Sequence, residues 1–241
     1  MGGAFFWGAV ASSSLLLGAA VALVLPLHER VVGLLTAFGA GVLISAVAYE
    51  LVQEAFNTSS DGVAAGLAAG SLTFYVGDLL IDRMGGDDRK SMDGKQAGGV
   101  ALALVLGTVL DGIPESAVLG LGLLGGEGVS VAVLAAVFLS NFPEAAAAST
   151  GLAKSGWCAL RILGLWTIVV VVSALASLAG FAFFDGASPT VVAFVLAFAG
   201  GAILTMLTDT MVPEAYRLGG KPAGLVTTLG FALAFALSSL D

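Results

Sequence analysis

Residues 160–184 have the sequence L-R-I-L-G-L-W-T-I-V-V-V-V-S-A-L-A-S-L-A-G-F-A-F-F, and their only charged side chain is Arg161, at the second position. A helix needs about 20 mainly apolar residues to cross the hydrocarbon of a bilayer. This stretch is long and apolar enough to do so. It therefore predicts a transmembrane helix.

The same pattern recurs along the whole chain. Abundant Ala and Gly, without alternating ten-residue segments, favour helices over a membrane barrel. The first apolar run has no basic residue before it, which is typical of a membrane helix and not of a cleavable signal. We predict an all-α integral membrane protein, a single transmembrane domain over 1–241, with eight spans: 5–25, 31–56, 62–82, 97–124, 128–153, 160–184, 189–215 and 222–240.

Composition excludes several classes of function. The 241 residues are 58% hydrophobic and 11% charged, whereas soluble domains carry about 25% charged residues. A net charge of −8 without a basic patch excludes nucleic-acid binding. The single cysteine, Cys158, excludes an internal disulfide and a Cys-rich metal site. No phosphate-binding loop motif is present, so nothing indicates use of ATP.

The basic residues predict the orientation. Eight of the nine fall between spans 1 and 2, 3 and 4, 5 and 6, or 7 and 8, and Arg161 lies at the adjoining start of span 6, hence all nine lie on one side of the membrane. The positive-inside rule makes that side cytoplasmic and places both termini outside the cell. We expect a plasma-membrane location. The loop at 83–96 is polar and of mixed charge, which predicts a solvated linker, with a regulatory metal-sensing loop as the alternative.

Acidic residues inside the spans are the main functional signal. A charge at mid-bilayer costs roughly 2.5–3.5 kcal/mol on insertion scales, and buried charges normally pair with one another or bind metals. No Lys or Arg lies deep in a span, which leaves protons or cations from solution as partners and predicts cation or proton movement. The acidic residues are Glu50, Glu54, Asp78, Asp111, Glu115, Glu144, Asp209 and Glu214.

These acids differ in their position along the predicted spans. Glu54 and Glu214 lie near helix ends, where we expect them at the interface, and Asp78 lies within reach of Arg83. Glu50 and Asp209 lie deeper, and we predict that they line a path into or out of a site. The remaining three, Asp111, Glu115 and Glu144, lie near the middle of spans 4 and 5.

Spans 4 and 5 carry matching proline motifs. The first is Asp111-Gly112-Ile113-Pro114-Glu115-Ser116, and the second is Ser140-Asn141-Phe142-Pro143-Glu144-Ala145. Positions i and i+4 share a helix face, so each motif aims a polar residue and a glutamate in one direction. Each proline also frees the carbonyl four residues before it, those of Leu110 and Leu139. Two kinked helices that carry carboxylates, and carbonyls without their helical hydrogen bonds, predict a metal site at mid-membrane.

An internal repeat relates spans 2 and 7. Residues 37–56 and 197–216 share six identical positions of twenty and both end in Glu-Ala-aromatic. These spans cross in opposite directions, and so do spans 4 and 5. The chain therefore predicts three spans, a central pair and three inverted spans, an arrangement typical of secondary transporters.

The eight spans, the doubled Pro-Glu motifs and the Val-Pro-Glu-Ala ending of span 7 resemble the ZIP (Zrt/Irt-like) family of divalent metal transporters over nearly the whole chain. The resemblance implies a metal site between spans 4 and 5 and movement of zinc, iron, manganese or similar ions toward the cytoplasm. The family's span 4 is typically H-N-x-P-E-G and its span 5 is H-E-x-P-E-G or a near variant. Glu115 and Glu144 match the motifs by position.

The chain departs from the family motifs at the ligand positions. Asp111 and Ser140 stand where histidines are usual, and Gly112 and Asn141 where Asn and an acidic residue are common. The lone histidine, His28, is expected to be a solvated loop residue. Span 6 has no acid before Asp185, so we predict one metal site and not two.

The predicted ligands of the cargo ion are Asp111, Glu115 and Glu144, with Asn141 and Ser140 as weaker oxygen donors. Oxygen ligands favour Mn²⁺, Mg²⁺ or Ca²⁺, whereas the family favours zinc or iron, and the sequence leaves this choice open. We expect no prosthetic group. The expected partners are the divalent cation and the lipid bilayer, and a homodimer is one arrangement that the sequence leaves open.

Two other functions compete with transport. A relative that binds metal as a sensor or scaffold is one, because the usual histidines are missing. An intramembrane aspartyl enzyme is the other, since Asp111 and Asp209 could supply the two aspartates that such a site needs. That alternative leaves the doubled Pro-Glu motifs unexplained, so we predict a transporter and not an enzyme.

Overall fold

The computed structural model describes residues 2–86, 92, 100–124 and 128–238, with side chains at 85, 86 and 100–105 excepted. These residues form helices and short turns, without a strand. Each of eight helices coincides with one predicted span. They are α1 (Gly2–Val24), α2 (Glu29–Thr58), α3 (Val63–Met84), α4 (Val100–Gly122), α5 (Val131–Lys154), α6 (Ala159–Phe184), α7 (Pro189–Gly219) and α8 (Pro222–Ser238).

Six helices in the described part of the chain are long and apolar enough to cross a membrane: α1, α2, α3, α5, α6 and α7. Helix α8 is apolar but shorter, at 17 residues, and the side chains of α4 are described only from residue 106. The all-helical, membrane-embedded class is therefore confirmed, and the count of eight crossings stays a prediction.

Most of the predicted loop at 83–96 lies outside the described residues. The structure describes its first residues, at the end of α3, and Met92. The Met92 side chain is 2% exposed and packs in one apolar cluster with Val32 of α2 and Ala147 of α5. This one residue of the loop is therefore buried, although its sequence context is polar.

The helix boundaries follow from local sequence. Helix α7 starts at Pro189 and α8 at Pro222, the helical position at which the missing N–H of proline costs nothing. Gly62, before α3, and Gly220, between α7 and α8, have φ of 87° and 70°. Glycine adopts this left-handed region without a steric penalty, so both positions allow tight turns.

The helices pack in two groups. In the first, called the site group, α1 packs against α5 and α6, and α6 packs against α4. In the second, called the frame group, α3 packs against α7, α8 packs against α2, and α2 contacts the end of α7. The main contacts between the groups are α2 with α5 and α4 with α7.

Close backbone approaches hold the frame group together. A Cβ added to Gly41 of α2 would collide with the carbonyl oxygen of Thr227 in α8. A Cβ added to Gly201 of α7 would collide with the carbonyl oxygen of Leu67 in α3. The glycines lie 160 positions apart, and so do Leu67 and Thr227. Small residues at such crossings are a common basis of helix packing in membranes.

Two helices contain π-helical turns at matching places. The turn in α2 covers Val47–Gln53 and the turn in α7 covers Leu207–Met211, so their starts also lie 160 positions apart. A π turn inserts an extra residue into a helix and often occurs at functional sites. The first contains Glu50 and the second contains Asp209.

Candidate metal centre

The two prolines lie inside α4 and α5, and both helices continue past them. Pro143 has no N–H, so it cannot donate a hydrogen bond to the carbonyl of Leu139. A Cβ on Gly39 of α2 would lie 3.1 Å from that carbonyl oxygen. The absence of a side chain at Gly39 thus lets α2 come close to α5 at its proline.

The predicted ligands lie largely in the protein interior. Asp111 and Glu115, one turn apart on α4, are each 3% exposed. On α5, Ser140 and Asn141 are buried and Glu144 is half-buried, with one of its carboxylate oxygens fully covered. Burial of these polar side chains in the middle of apolar helices agrees with the expectation that they form an interior site.

Glu115 borders a small cavity where the two helix groups meet. The surface of the cavity is apolar throughout, so Glu115 lines it with carbon atoms and not with its carboxylate oxygens. Among the residues that line it are Leu43, Val47 and Leu51 of α2, Val133 and Val137 of α5, and Ile203 of α7. An acidic residue beside an apolar cavity inside a membrane protein is a functional-site candidate by default.

One face of α5 connects this cavity with the second proline motif. Five residues follow one another at alternating spacings of three and four positions: Ser130, Val133, Val137, Ser140 and Glu144. They therefore form a stripe along one side of the helix. We call it the α5 stripe. Two of its members line the cavity, and its last member is a predicted ligand.

The structure does not gather the predicted carboxylates into a ready-made ion site. Across the described ranges, no three side chains of His, Cys, Asp or Glu are arranged so that they could hold a metal ion. Asp111 and Glu115 share one helix, and Glu144 lies on a helix in contact with it. Ser140 donates a hydrogen bond to the carbonyl of Val137 over 3.1 Å, and its oxygen keeps lone pairs. The ligand set stays a prediction.

The two acids predicted to line a path differ in exposure. Glu50 is half-buried, and the next residue, Leu51, lines the cavity. Asp209 is exposed on α7, and its place along a path stays a prediction. Both acids lie in π turns, where a regular helical spacing does not give the direction of a side chain.

The acids near helix ends have polar partners one turn away, and their place at the membrane interface stays a prediction. Glu54 is exposed and accepts a hydrogen bond from the Thr58 hydroxyl at 3.4 Å. Glu214 pairs with Arg217 one turn later, with 3.7 Å between the charged atoms. His28, expected to be solvated, is exposed just before α2. None of these groups belongs to the buried site.

Sequence reasoning missed two hydroxyls that contact Glu50. Ser130 donates a hydrogen bond to Glu50 Oε2 at 2.9 Å, and Ser238 donates a short hydrogen bond to Glu50 Oε1. Ser130 precedes a long apolar run and is the N-cap of α5, a position that its residue type signals. Nothing in the sequence indicates that Ser238, at the end of α8, reaches Glu50.

No known protein-family model matches the chain, and no curated protein matches it either. The functional argument therefore rests on the residues and on their arrangement.

Proposed function

We propose that this protein is a secondary transporter that moves divalent metal cations, such as zinc, iron or manganese, across the plasma membrane toward the cytoplasm. The observation that carries the proposal is the position of Glu115. It is 3% exposed, borders an apolar cavity between two groups of helices, and lies one turn from the equally buried Asp111. Acidic groups at such depth in a membrane protein typically mark an ion pathway.

The proposal includes an inverted repeat in which α1, α2 and α3 correspond to α6, α7 and α8, around the central α4 and α5. The packing supports it, because α2 with α8 corresponds to α7 with α3, and α1 with α5 corresponds to α6 with α4. The spacing of 160 positions between the π turns, and between Gly41 and Gly201, supports the same correspondence. The basic loops support eight crossings with both termini outside.

Transport in this proposal proceeds by alternating access. The site group carries the cargo-binding residues and moves relative to the frame group, so that the carboxylates face first one side and then the other. The cavity at Glu115 lies where the two groups meet. As the site group moves, Glu144 on the α5 stripe comes to share the ion with Asp111 and Glu115, supported by Asn141 and Ser140.

The resemblance to ZIP transporters supports this assignment through Glu115 and Glu144, the positions that match the family motifs. The oxygen-only ligand set favours manganese over zinc, because imidazole ligands are missing. We infer a single cargo site in which carboxylate charge attracts many divalent ions and the geometry selects only weakly among them.

An intramembrane aspartyl enzyme fits the described residues less well. Such an enzyme needs two aspartates that face one site. Asp111 is buried in α4, whereas Asp209 is exposed on α7. We therefore do not propose a hydrolytic function.

The experiment that tests transport is uptake of Mn²⁺ or Zn²⁺ into proteoliposomes that contain purified protein. We expect saturable uptake, and its loss when Glu115→Gln is combined with Glu144→Gln. The matched control is Glu54→Gln, which neutralises an exposed acid of α2 and should leave uptake unchanged. Undiminished uptake by the double variant would overturn the site assignment. Metal binding without uptake by the unaltered protein would indicate a sensor or scaffold.

A further inference from the structure

The carboxylate of Glu50 joins the π turn of α2 to the ends of two other helices. It lies in the π turn of α2 and accepts hydrogen bonds from Ser130, directly before α5, and from Ser238, the last residue of α8. A carboxyl group has two oxygens, so it can accept hydrogen bonds from two donors at once. One acidic side chain therefore ties together one end of the bundle.

The two hydrogen bonds have different structural consequences. Glu50 and Ser238 both belong to the frame group, so their contact lies within one packed unit. Ser130 belongs to the site group, so its contact with Glu50 crosses the boundary between the units. Any movement of the site group along the frame group must break the hydrogen bond between Ser130 and Glu50, but it can leave the bond to Ser238 intact.

The hydrogen bond between Glu50 and Ser130 lies at the end of the cavity that Glu115 borders. Leu51, next to Glu50, lines the cavity on the α2 side, and Val133 lines it on the α5 side. The Ser130 oxygen also accepts a hydrogen bond from the Val133 backbone N–H at 3.3 Å. The Ser130 hydroxyl thus caps α5 and also links the first residue of the α5 stripe to α2.

We propose that the hydrogen bond between Glu50 and Ser130 is a latch that closes this end of the cavity and holds the site group in place against the frame group. The proposal rests on the proposed function in one respect, that the cavity leads to a transport site. With the latch closed, Glu115 is shielded from this end of the bundle. With the latch open, α5 separates from α2 and the apolar wall admits water and the cargo ion.

A latch can be distinguished from a purely structural hydrogen bond because the two serines that contact Glu50, Ser130 and Ser238, can be substituted separately. Ser238→Ala removes a hydroxyl from the same carboxylate without cutting a contact between the groups. Ser130→Asp keeps an N-cap side chain on α5, which Asp supplies as well as Ser, and places a second negative charge against Glu50. Ser130→Asn also keeps the cap and restores a donor, so it serves as the rescue variant.

The experiment measures access to the cavity. Val137, which lines it, is replaced by Cys in a chain whose exposed native cysteine is replaced as Cys158→Ser. The protein is placed in lipid nanodiscs, where a charged, membrane-impermeant maleimide reaches both faces. The labelling rate at position 137 then reports opening of the cavity, whatever the orientation of the chain and whether or not metal moves.

We expect Ser130→Asp to raise the labelling rate at position 137 at least several-fold, Ser130→Asn to return it toward the starting value, and Ser238→Ala to change it less than twofold. If Ser130→Asp does not fold, judged by its thermal melt, Glu50→Ala in the same background must raise labelling instead. An unchanged rate in the folded variants overturns the latch, and so does an equal rise with Ser238→Ala.

Metal uptake by the same proteins in proteoliposomes separates the two proposals. Raised labelling in a protein that never takes up a divalent ion supports the latch and contradicts transport. If uptake is saturable but the labelling rate at position 137 is the same with and without Ser130→Asp, the result supports transport and contradicts the latch.

Discussion

The carbonyl oxygen of Leu139 faces Gly39, so that a methyl group on Gly39 would lie only 3.1 Å away from it. Leu139 precedes Pro143 by four residues, and its carbonyl cannot receive the usual helical hydrogen bond. A helix of the frame group therefore contacts the site group at the proline of α5, close to the predicted ligands. This contact lies where the two groups must move past each other if the protein works by alternating access.

Enlarging Gly39 should impair transport more than folding. In Gly39→Ala the neighbours must give way by a few tenths of an ångström, and in Gly39→Val the side chain presses on the backbone of α5. We expect a graded fall in the rate of metal uptake, with Val slower than Ala, while the protein still melts cooperatively. The control is Gly164→Ala on α6, where an added Cβ meets nothing within 4 Å. Equal uptake by all three variants would mean that this contact does not limit movement.

Gly41→Ala should destabilise the frame group. Its added carbon would overlap the backbone of Thr227, which no side-chain rotation can relieve. Overpacking of this kind costs about 1–3 kcal/mol, more than the roughly 1 kcal/mol that Ala gains over Gly in a helix. We expect a lower melting temperature in detergent.

The control for Gly41→Ala is Gly224→Ala on α8, where an added carbon has open space. Its melting temperature should stay the same or rise. If the inverted repeat is correct, Gly201→Ala, at the matching approach to Leu67, should lower the melting temperature about as much as Gly41→Ala does. A neutral Gly201→Ala would argue against an equivalent role for the two crossings.

Helix positions could be predicted from sequence because apolar length determines them directly. Each described helix overlaps its predicted span, and prolines and glycines mark the ends where α7 and α8 begin. Burial of Asp111 and Glu115 could be predicted too, since the motif places both at mid-span on one face. These features depend on local sequence and on the thickness of a bilayer, and neither requires knowledge of which helices touch.

Features that depend on tertiary contacts could not be predicted. The π turns of α2 and α7, which contain Glu50 and Asp209, interrupt the regular helical spacing on which the sequence argument depends. Met92 is buried in a loop that looks solvated, because it packs against Val32 and Ala147 from distant helices. The hydrogen bond from Ser238 to Glu50 joins residues 188 positions apart, a pairing that no periodicity reveals.

A buried hydrogen bond within the site group offers a test of its rigidity. The indole N–H of Trp166 on α6 donates to the Ser149 hydroxyl on α5 at 2.8 Å, and both side chains are fully buried. Ser149→Ala leaves that N–H without its acceptor, at a cost of about 1–3 kcal/mol. We expect a lower melting temperature and an unchanged apparent affinity for the metal. A shift in affinity without loss of stability would contradict a purely structural role.

The choice of cargo can be tested at Asp111. Asp111 is 3% exposed, and it stands at a position where the ZIP family, which the chain resembles, usually has histidine. Imidazole favours zinc and the later transition metals, whereas carboxylate favours manganese and harder ions. If residue 111 touches the ion, Asp111→His should shift the ratio of zinc to manganese uptake toward zinc, by about tenfold for each 1.4 kcal/mol of differential binding.

The comparison variant for Asp111→His is Asp209→His. It places the same imidazole on an exposed position of α7, so it should leave the zinc to manganese ratio as it was. Both variants are measured in one competition assay, with the two ions presented together to proteoliposomes. A ratio that moves with Asp209→His and not with Asp111→His would place the ion on α7 instead of α4. A ratio that moves with neither would remove Asp111 from the ligand set and leave Glu115 as the acid of α4 that the cargo meets.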